Sequence, residues 1–511
     1  MTLNYTASGR VPADAGAQRS CARMQAASKR QAASARLAHG FAVFALLSAA
    51  CTAPEIVNPN SPTVAAAAAS PVALQQLATG VMAGWRGTLG GLRSDFGIFG
   101  RESYNFTLGD TRATTNYLIG IAVGANKLDP NGFANGDWGG QYTTLRNIYN
   151  FNIAVKNASD ALVTPAQKSA ALGLAKTIEA ALLLQVVESR DTLGGIVDVE
   201  ADPSVLAPFV SRDSMYKFII GELQTATTLL ASGGTSFPFN LPSGFHQTAT
   251  NFATPSGFAL MTNAYLAKAA VLYATEGGPA SAWTTAANAL KASFLNDGAS
   301  GLTANGLNDG LYQVYSTATG DAANPLNAST NTSLYAHMSI QAQVQLKANG
   351  DTDSRYVAKL QKIPQRVLPG AAPSSLGFKI WPLPTAPMAE IRNEELILLR
   401  SEVKLATGDL AGAIADLNLI RVNSGGLPAS TLTPASGHDA ILQGLLYERR
   451  MSLLMEGNRW IDYRRYGLLD QLPLDVTSGP FTDFVARVMP IPAAECLLRV
   501  GQAPPYAGPG C

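Results

Sequence analysis

Apolar residues recur at i, i+3, i+4 and i+7 through 142–158, 164–190 and 211–231, which is the spacing of one helix face. The pattern continues through 256–277 and 281–295. "SRDS" before Met215 and "TPSG" before Phe258 have the composition of helix caps. The segment "KTIEAALLLQVV" carries no polar break on its inner face, so it is expected at the centre of the body. In 393–421, Ser401, Gly408, Ala413 and Leu417 follow at the intervals of a tetratricopeptide helix pair. There, small residues let two helices approach and Gly-Asp makes the turn. Periodicity fails at about 84–137 and 298–387, two stretches rich in turn formers and scattered tyrosines. Loops of that length in a helical body are uncommon unless they serve function. The predicted fold class is all-α, a TPR-like helical repeat superhelix with long irregular loop insertions and at most short strands.

The N-terminus changes the picture of where the chain resides. Lys29, Arg30 and Arg36 precede the apolar run "FAVFALLSAA", which ends at Cys51. A basic region and a short apolar core have the form of an export signal, too short to span a bilayer. Ser48, Ala49 and Ala50 before Cys51 resemble a lipobox, with Leu47 one place earlier than its usual leucine. Residues 1–50 are therefore expected to be a lipoprotein presequence, with Met24 a second candidate for its start, and Cys51 the lipidated residue. Residues 51–71, rich in Pro, Asn, Ser and Ala, are expected to form a flexible tether. A single binding domain would follow over 72–511. Thr52 after the cysteine carries no aspartate signal for inner-membrane retention, which points to the outer membrane.

Charge and motifs exclude several function classes. The formal net charge is +1 with 14% charged residues, so there is no basic stripe for nucleic acid. "SEVK" at 401–404 lacks the partner motifs of serine-lysine enzymes and lies inside the repeat helix. His39, His246, His337 and His438 are isolated, and no phosphate loop or dinucleotide fingerprint occurs. "DPNGFANGD" (129–137) and "NGDTDSR" (349–355) miss calcium-loop spacing and fit turn chemistry. The expectation is no metal, no cofactor and no catalytic residue. Cys496 and Cys511, 15 residues apart, are compatible with a terminal disulfide or with two free thiols.

The most charged stretch is "LLYERRMSLLMEGNRWIDYRRYG", Leu445 to Gly467. Extended as one helix, Leu442, Leu446, Arg449, Leu453, Glu456 and Trp460 share a face. Arg449 and Glu456 would then be buried structural clamps, each seeking a partner elsewhere, and Trp460 a packing residue. Gly457 permits a break before a second short helix.

This stretch closely resembles the C-terminal motif of the SusD/RagB family of outer-membrane nutrient-binding lipoproteins. Ser452 stands where the family usually has Glu, and Met455 where it has an aromatic. "CTAPEIVNPNSPT", "WGGQYTTLRNIYNFN", "SRDSMYKFIIGEL", "SGFALMTNAYLAKAAVLY", "DTDSRY", the 393–421 pair and "VMPIPAAE" resemble the family's other segments in order. The resemblance implies a non-enzymatic, lipid-anchored surface protein. Such a protein binds an oligosaccharide, or in some members a peptide, and delivers it to a TonB-dependent, SusC-like transporter. A TPR-like adaptor and a secreted glycoside hydrolase are the competing classes.

The binding site has to be argued physically. Sugar rings stack their C–H faces on aromatics while Asn, Asp, Gln or Arg meet the hydroxyls. The first candidates are Trp138 with Tyr142 and Asn135, beside Tyr104 and Asn116. Tyr312, Tyr315 and Tyr335 come second, with Trp283 and Trp381 assigned to packing.

Overall fold

A computed structural model describes residues 63–120 and 128–509. Cys51 and the presequence lie outside the described residues, as does Cys511. Helix α1 (Pro71–Phe99) opens with Ser70 accepting from the Ala73 amide and Pro71 in the first turn. It is followed by α2 (Trp138–Asn157), α3 (Pro165–Arg190), α4 (Arg212–Ala231), α5 (Pro255–Thr275) and α6 (Ser281–Lys291). Thr164 and Gln167 form a capping box on α3, while Ser211 and Thr254 cap α4 and α5 as their sequences predict. Consecutive helices from α2 to α6 pack on one another, and α1 packs on α2.

Helix α3 is long and apolar enough to cross a membrane by length and composition alone. It is instead enclosed by α2, α4 and α5, with residues such as Leu182, Leu183 and Val186 fully buried. An all-round apolar helix is what a central position requires.

The second half returns as α7 (Asn393–Ala406), α8 (Leu410–Asn423), α9 (His438–Ser452) and α10 (Asn458–Arg465). In the α7–α8 pair the Ser401 hydroxyl donates to the Ala413 carbonyl at 2.8 Å, the close approach that small residues allow. Gly408 turns the chain at φ +88°. Lys404, polar where the repeat pattern prefers an apolar residue, pairs with Asp416 at 2.8 Å. Helix α10 closes the body by packing on α1.

Three expectations need correction. Gly84–Phe99 is not loop: it is the second half of α1. Two of its glycines are close-approach points, since a Cβ on Gly84 would lie 2.5 Å from Thr144 Oγ1 and one on Gly90 2.4 Å from Pro325 Cγ. The expected tether is partly helical, because Thr63 caps Val64–Ala69 and α1 begins at Pro71. The charged stretch breaks at Gly457 (φ +86°) into a second short helix as expected, but α9 already ends at Ser452 and Met455 has φ +63°, so Glu456 lies in a turn and not on a helix face.

Among the described residues, six short strands come from the two irregular regions and the segment entering α7: β1 (Ser103–Asn105), β2 (Gly310–Gln313), β3 (Leu334–Ala336), β4 (Leu360–Arg366), β5 (Ser374–Phe378) and β6 (Met388–Arg392). They form a four-stranded antiparallel sheet ordered β1-β3-β5-β4 and an antiparallel β2–β6 pair. Tyr104 on β1 stands opposite Tyr335 on β3, so the two irregular regions of the sequence share one sheet.

Candidate functional site

Most of the C-terminal charges are paired inside the protein, while Arg450 and Arg459 donate to neutral groups on Gln343, Ser339 and Gly100. Arg449 Nε donates to Asp462 Oδ2 at 2.7 Å, and Arg465 binds Asp462 and Glu402. Glu456, in the turn between α9 and α10, takes Arg392 Nη2 at 2.5 Å. Arg392 also holds Glu394 at 2.9 Å. Arg355 joins Asp353 at 2.6 Å and Glu448 at 2.7 Å, and donates to Ser452 Oγ at 2.8 Å. Ser452 in turn donates to Glu394 at 2.6 Å, so this hydroxyl links the two clusters. Burial pushes the Glu394 carboxyl up, but Arg392, Lys359 and the hydroxyl donors outweigh it and hold it at about 2. Trp460 is fully buried, its Nε1 donating to the Ala486 carbonyl at 2.7 Å and its ring set against Phe96 and Phe99. These side chains tie α7, α9 and α10 to the segments that cross them.

The turn-forming motifs use their own oxygens. Asp129 Oδ1 accepts from the Asn131 amide, Asn349 Oδ1 from Asp351, and Asp353 caps the helix Ser354–Lys359. Cys496 is disulfide-bonded, and the other cysteine of the expected pair, Cys511, lies outside the described residues.

The first aromatic candidates do not form a free platform. Trp138 and Tyr142 sit in the opening turns of α2, not on a loop. The Trp138 ring is 6% exposed, with Tyr142 at 4.5 Å, Phe209 stacked at 6.1 Å and the Arg190 guanidinium over it at 5.3 Å. The Tyr142 hydroxyl accepts from the Ile196 amide at 2.8 Å. Asn116 Oδ1 accepts from the Phe133 amide, and Asn135 Nδ2 donates to the Pro130 carbonyl, so both amides brace the 129–137 turn. Tyr104 lies elsewhere, buried between Phe106 and His337, with its hydroxyl donating to Asp475 at 2.5 Å. Packing has claimed these rings because each flanks a chain crossing that needs large apolar area.

The second set divides between two clefts and the core. Tyr315 is buried, its hydroxyl donating to Met388 Sδ and its ring under Arg86. Tyr335 lines a cleft of about 290 Å³ on the four-stranded sheet, but it is 3% exposed and the Arg366 guanidinium stands over its ring at 5.2 Å. Leu334, Gly377 and Phe378 lie with it at the floor of the cleft, and Asn331, Thr332, Gln361 and Arg366 stand at the edge. Arg366 Nη1 donates to the Phe106 carbonyl at 3.1 Å, which holds its side chain along the rim. Tyr312 lines a separate cavity of about 340 Å³ with Trp381, Arg93, Lys359 and Arg392. The sheet cleft has what sugar recognition needs, apolar floor and polar rim in one concavity. Its rim residues escaped sequence reading because they come from 331–332 and 361–366, which only strand pairing unites.

Residues 384–489 match the model of the SusD family. No curated protein matches the chain. Among solved structures, surface glycan-binding protein A from Bacteroides thetaiotaomicron superposes with a TM-score of 0.62 at 13% identity, over 86% of this chain and 98% of its own. A SusD superfamily protein from Bacteroides vulgatus ATCC 8482 gives 0.61 at 16% identity, over 86% and 99%. A SusD-like carbohydrate-binding protein from Bacteroides fragilis NCTC 9343 gives 0.51 at 14% identity, over 79% and 97%.

Proposed function

This chain is SusD-like in its fold and in the family match over 384–489, and we propose on that premise that it is a surface-exposed outer-membrane lipoprotein that binds an oligosaccharide without turning it over. The reading takes residues 72–511 as one binding domain, Cys51 as the lipid anchor, and a TonB-dependent, SusC-like transporter as the partner that receives the ligand. The observation that carries it is the sheet cleft, where half-buried Ile363 and exposed Pro364 offer apolar area above the buried Tyr335 and Phe378, and Asn331, Gln361 and Arg366 offer hydrogen bonds. The similarly folded proteins described as glycan- or carbohydrate-binding support the ligand class. Sugar C–H faces settle on the floor while the amides and guanidinium replace water at the hydroxyls.

The test is incubation of the purified chain with labelled neutral oligosaccharides, followed by calorimetry and product analysis. Saturable binding with the oligosaccharides recovered intact is expected. Release of shorter products would overturn the binding-protein reading in favour of a hydrolase.

A further inference from the structure

The cavity that contains Tyr312 has a chemistry unlike that of the sheet cleft. It lies where α1, β6, the helix Ser354–Lys359 and the turn before α10 meet. Its rim residues Asn308, Ala358 and Pro387 are exposed, whereas Arg93, Arg355, Arg392 and Glu394 beneath them are buried. Four cations line it, Arg93, Arg355, Lys359 and Arg392, against two carboxylates, Glu394 and Glu456. Both carboxylates are already engaged by Arg392, and Arg355 is matched by Asp353 and Glu448.

Two cations are left over. Lys359 Nζ donates only to the backbone carbonyls of Met451 and Ser452 among the described residues. Burial and the neighbouring Arg392 lower its ammonium to about 8, against the opposing pull of Glu394 and Glu456. Arg93 is 4% exposed; its Nη2 donates to the Ala389 carbonyl, its Nε has no partner, and no carboxylate is in ion-pair contact with it among the described residues. It acts on Glu390 and Glu456 only through space, and Glu390 is itself occupied by Tyr265 and Gln313 at 2.7 Å each. A buried guanidinium with an open donor is costly unless something completes it. A planar carboxylate matches the guanidinium fork in shape and charge.

We propose that this cavity receives the carboxylate of an acidic sugar, bound between Arg93 and Lys359 with the sugar ring against Tyr312. The inference deepens the glycan-binding reading and rests on it, while using residues separate from the sheet cleft. The ligand class is thereby narrowed to glycans bearing hexuronate-type residues.

The experiment titrates the full mature chain with a panel of hexuronate-bearing oligosaccharides and their carboxyl-reduced counterparts, with inorganic phosphate as a further probe. At least one acidic glycan is expected to bind about tenfold or more tighter than its reduced counterpart. Arg93→Met and, at the half-buried rim, Lys359→Met should each remove that preference. If Arg93→Met fails to fold, Lys359→Met alone carries the reading. Equal affinity for every acidic and reduced pair, or a preference that both folded variants keep, would overturn the proposal and leave the glycan reading standing. Phosphate binding with no sugar bound would overturn both.

Discussion

Glu102 is completely buried just beyond α1, with Oε2 accepting from the Met455 amide at 3.1 Å and Oε1 without a partner. Burial pushes its carboxyl up to about 7 despite the fields of Arg459 and Arg450. Asp95 and Glu188 are pushed to about 7 as well, mainly by burial. An acid whose folded pKa exceeds its unfolded value near 4.5 takes up protons on folding, so its contribution to stability falls as pH rises between those values. Glu394 has the opposite sign: at about 2, its contribution is present above pH 4.5 and is lost as pH falls toward 2. The melting temperature is therefore expected to decline from pH 5 to pH 8, and Glu102→Gln should shrink the decline. Thermal scans across that interval check this; a wild-type curve that rises through it would contradict the assignment. Arg449 and Asp462 illustrate the other residue-scale lesson. Sequence placed Arg449 on the core face, and the structure supplies Asp462 as the mate that a buried guanidinium needs. Losing one member of such a pair typically costs about 3–5 kcal/mol.

At the scale of elements, the helices from α2 to α8 were legible from their 3.6-residue apolar spacing, with side-chain caps opening α3, α4, α5 and α8. Helix α1 was only half legible. Gly84, Gly87, Gly90, Gly91 and Gly97 read as loop composition, yet two of them admit Thr144 and Pro325 against the helix backbone. Gly90→Val should therefore overpack against Pro325 and destabilise by about 1–3 kcal/mol. Gly91→Ala, with open space around its Cβ, should instead stabilise by up to about 1 kcal/mol. Denaturant titration of the two variants separates packing from propensity; equal shifts would remove the packing explanation. The break expected at Gly457 is present, but the shared face drawn across it from Leu442 to Trp460 failed for a comparable reason. Spacing alone cannot register that Met455 and Gly457 take positive φ, which swings Glu456 toward Arg392.

For the whole molecule, the decisive event is the pairing of β1 with β3, which brings residues about 230 positions apart onto one sheet. The sheet cleft is made on the far side of β3, where the β3–β5 and β5–β4 pairings bring 326–335, 361–366 and 377–378 together. Gln361 is exposed at its rim, so Gln361→Ala should leave the melt unchanged. Removing its hydrogen bond should weaken neutral-glycan affinity by about 2- to 10-fold, corresponding to about 0.5–1.5 kcal/mol. Calorimetry against the ligand found in the binding screen measures it, and unchanged affinity would move the site off the sheet.

Sequence by itself determined the helical architecture, the caps, the repeat-like pair and the charged C-terminal segment, because each rests on contacts within about thirty residues. Only the tertiary structure decided which aromatics are spent on packing and which meet a cleft. Trp138 and Tyr335 look alike in sequence, as rings in turn-rich surroundings. What covers each ring, Phe209 and Arg190 for Trp138 and Phe106 and Arg366 for Tyr335, is settled by long-range packing. The same holds for Arg93: nothing in its helix distinguishes it from a surface arginine until folding buries it beside a cavity with no carboxylate in contact among the described residues.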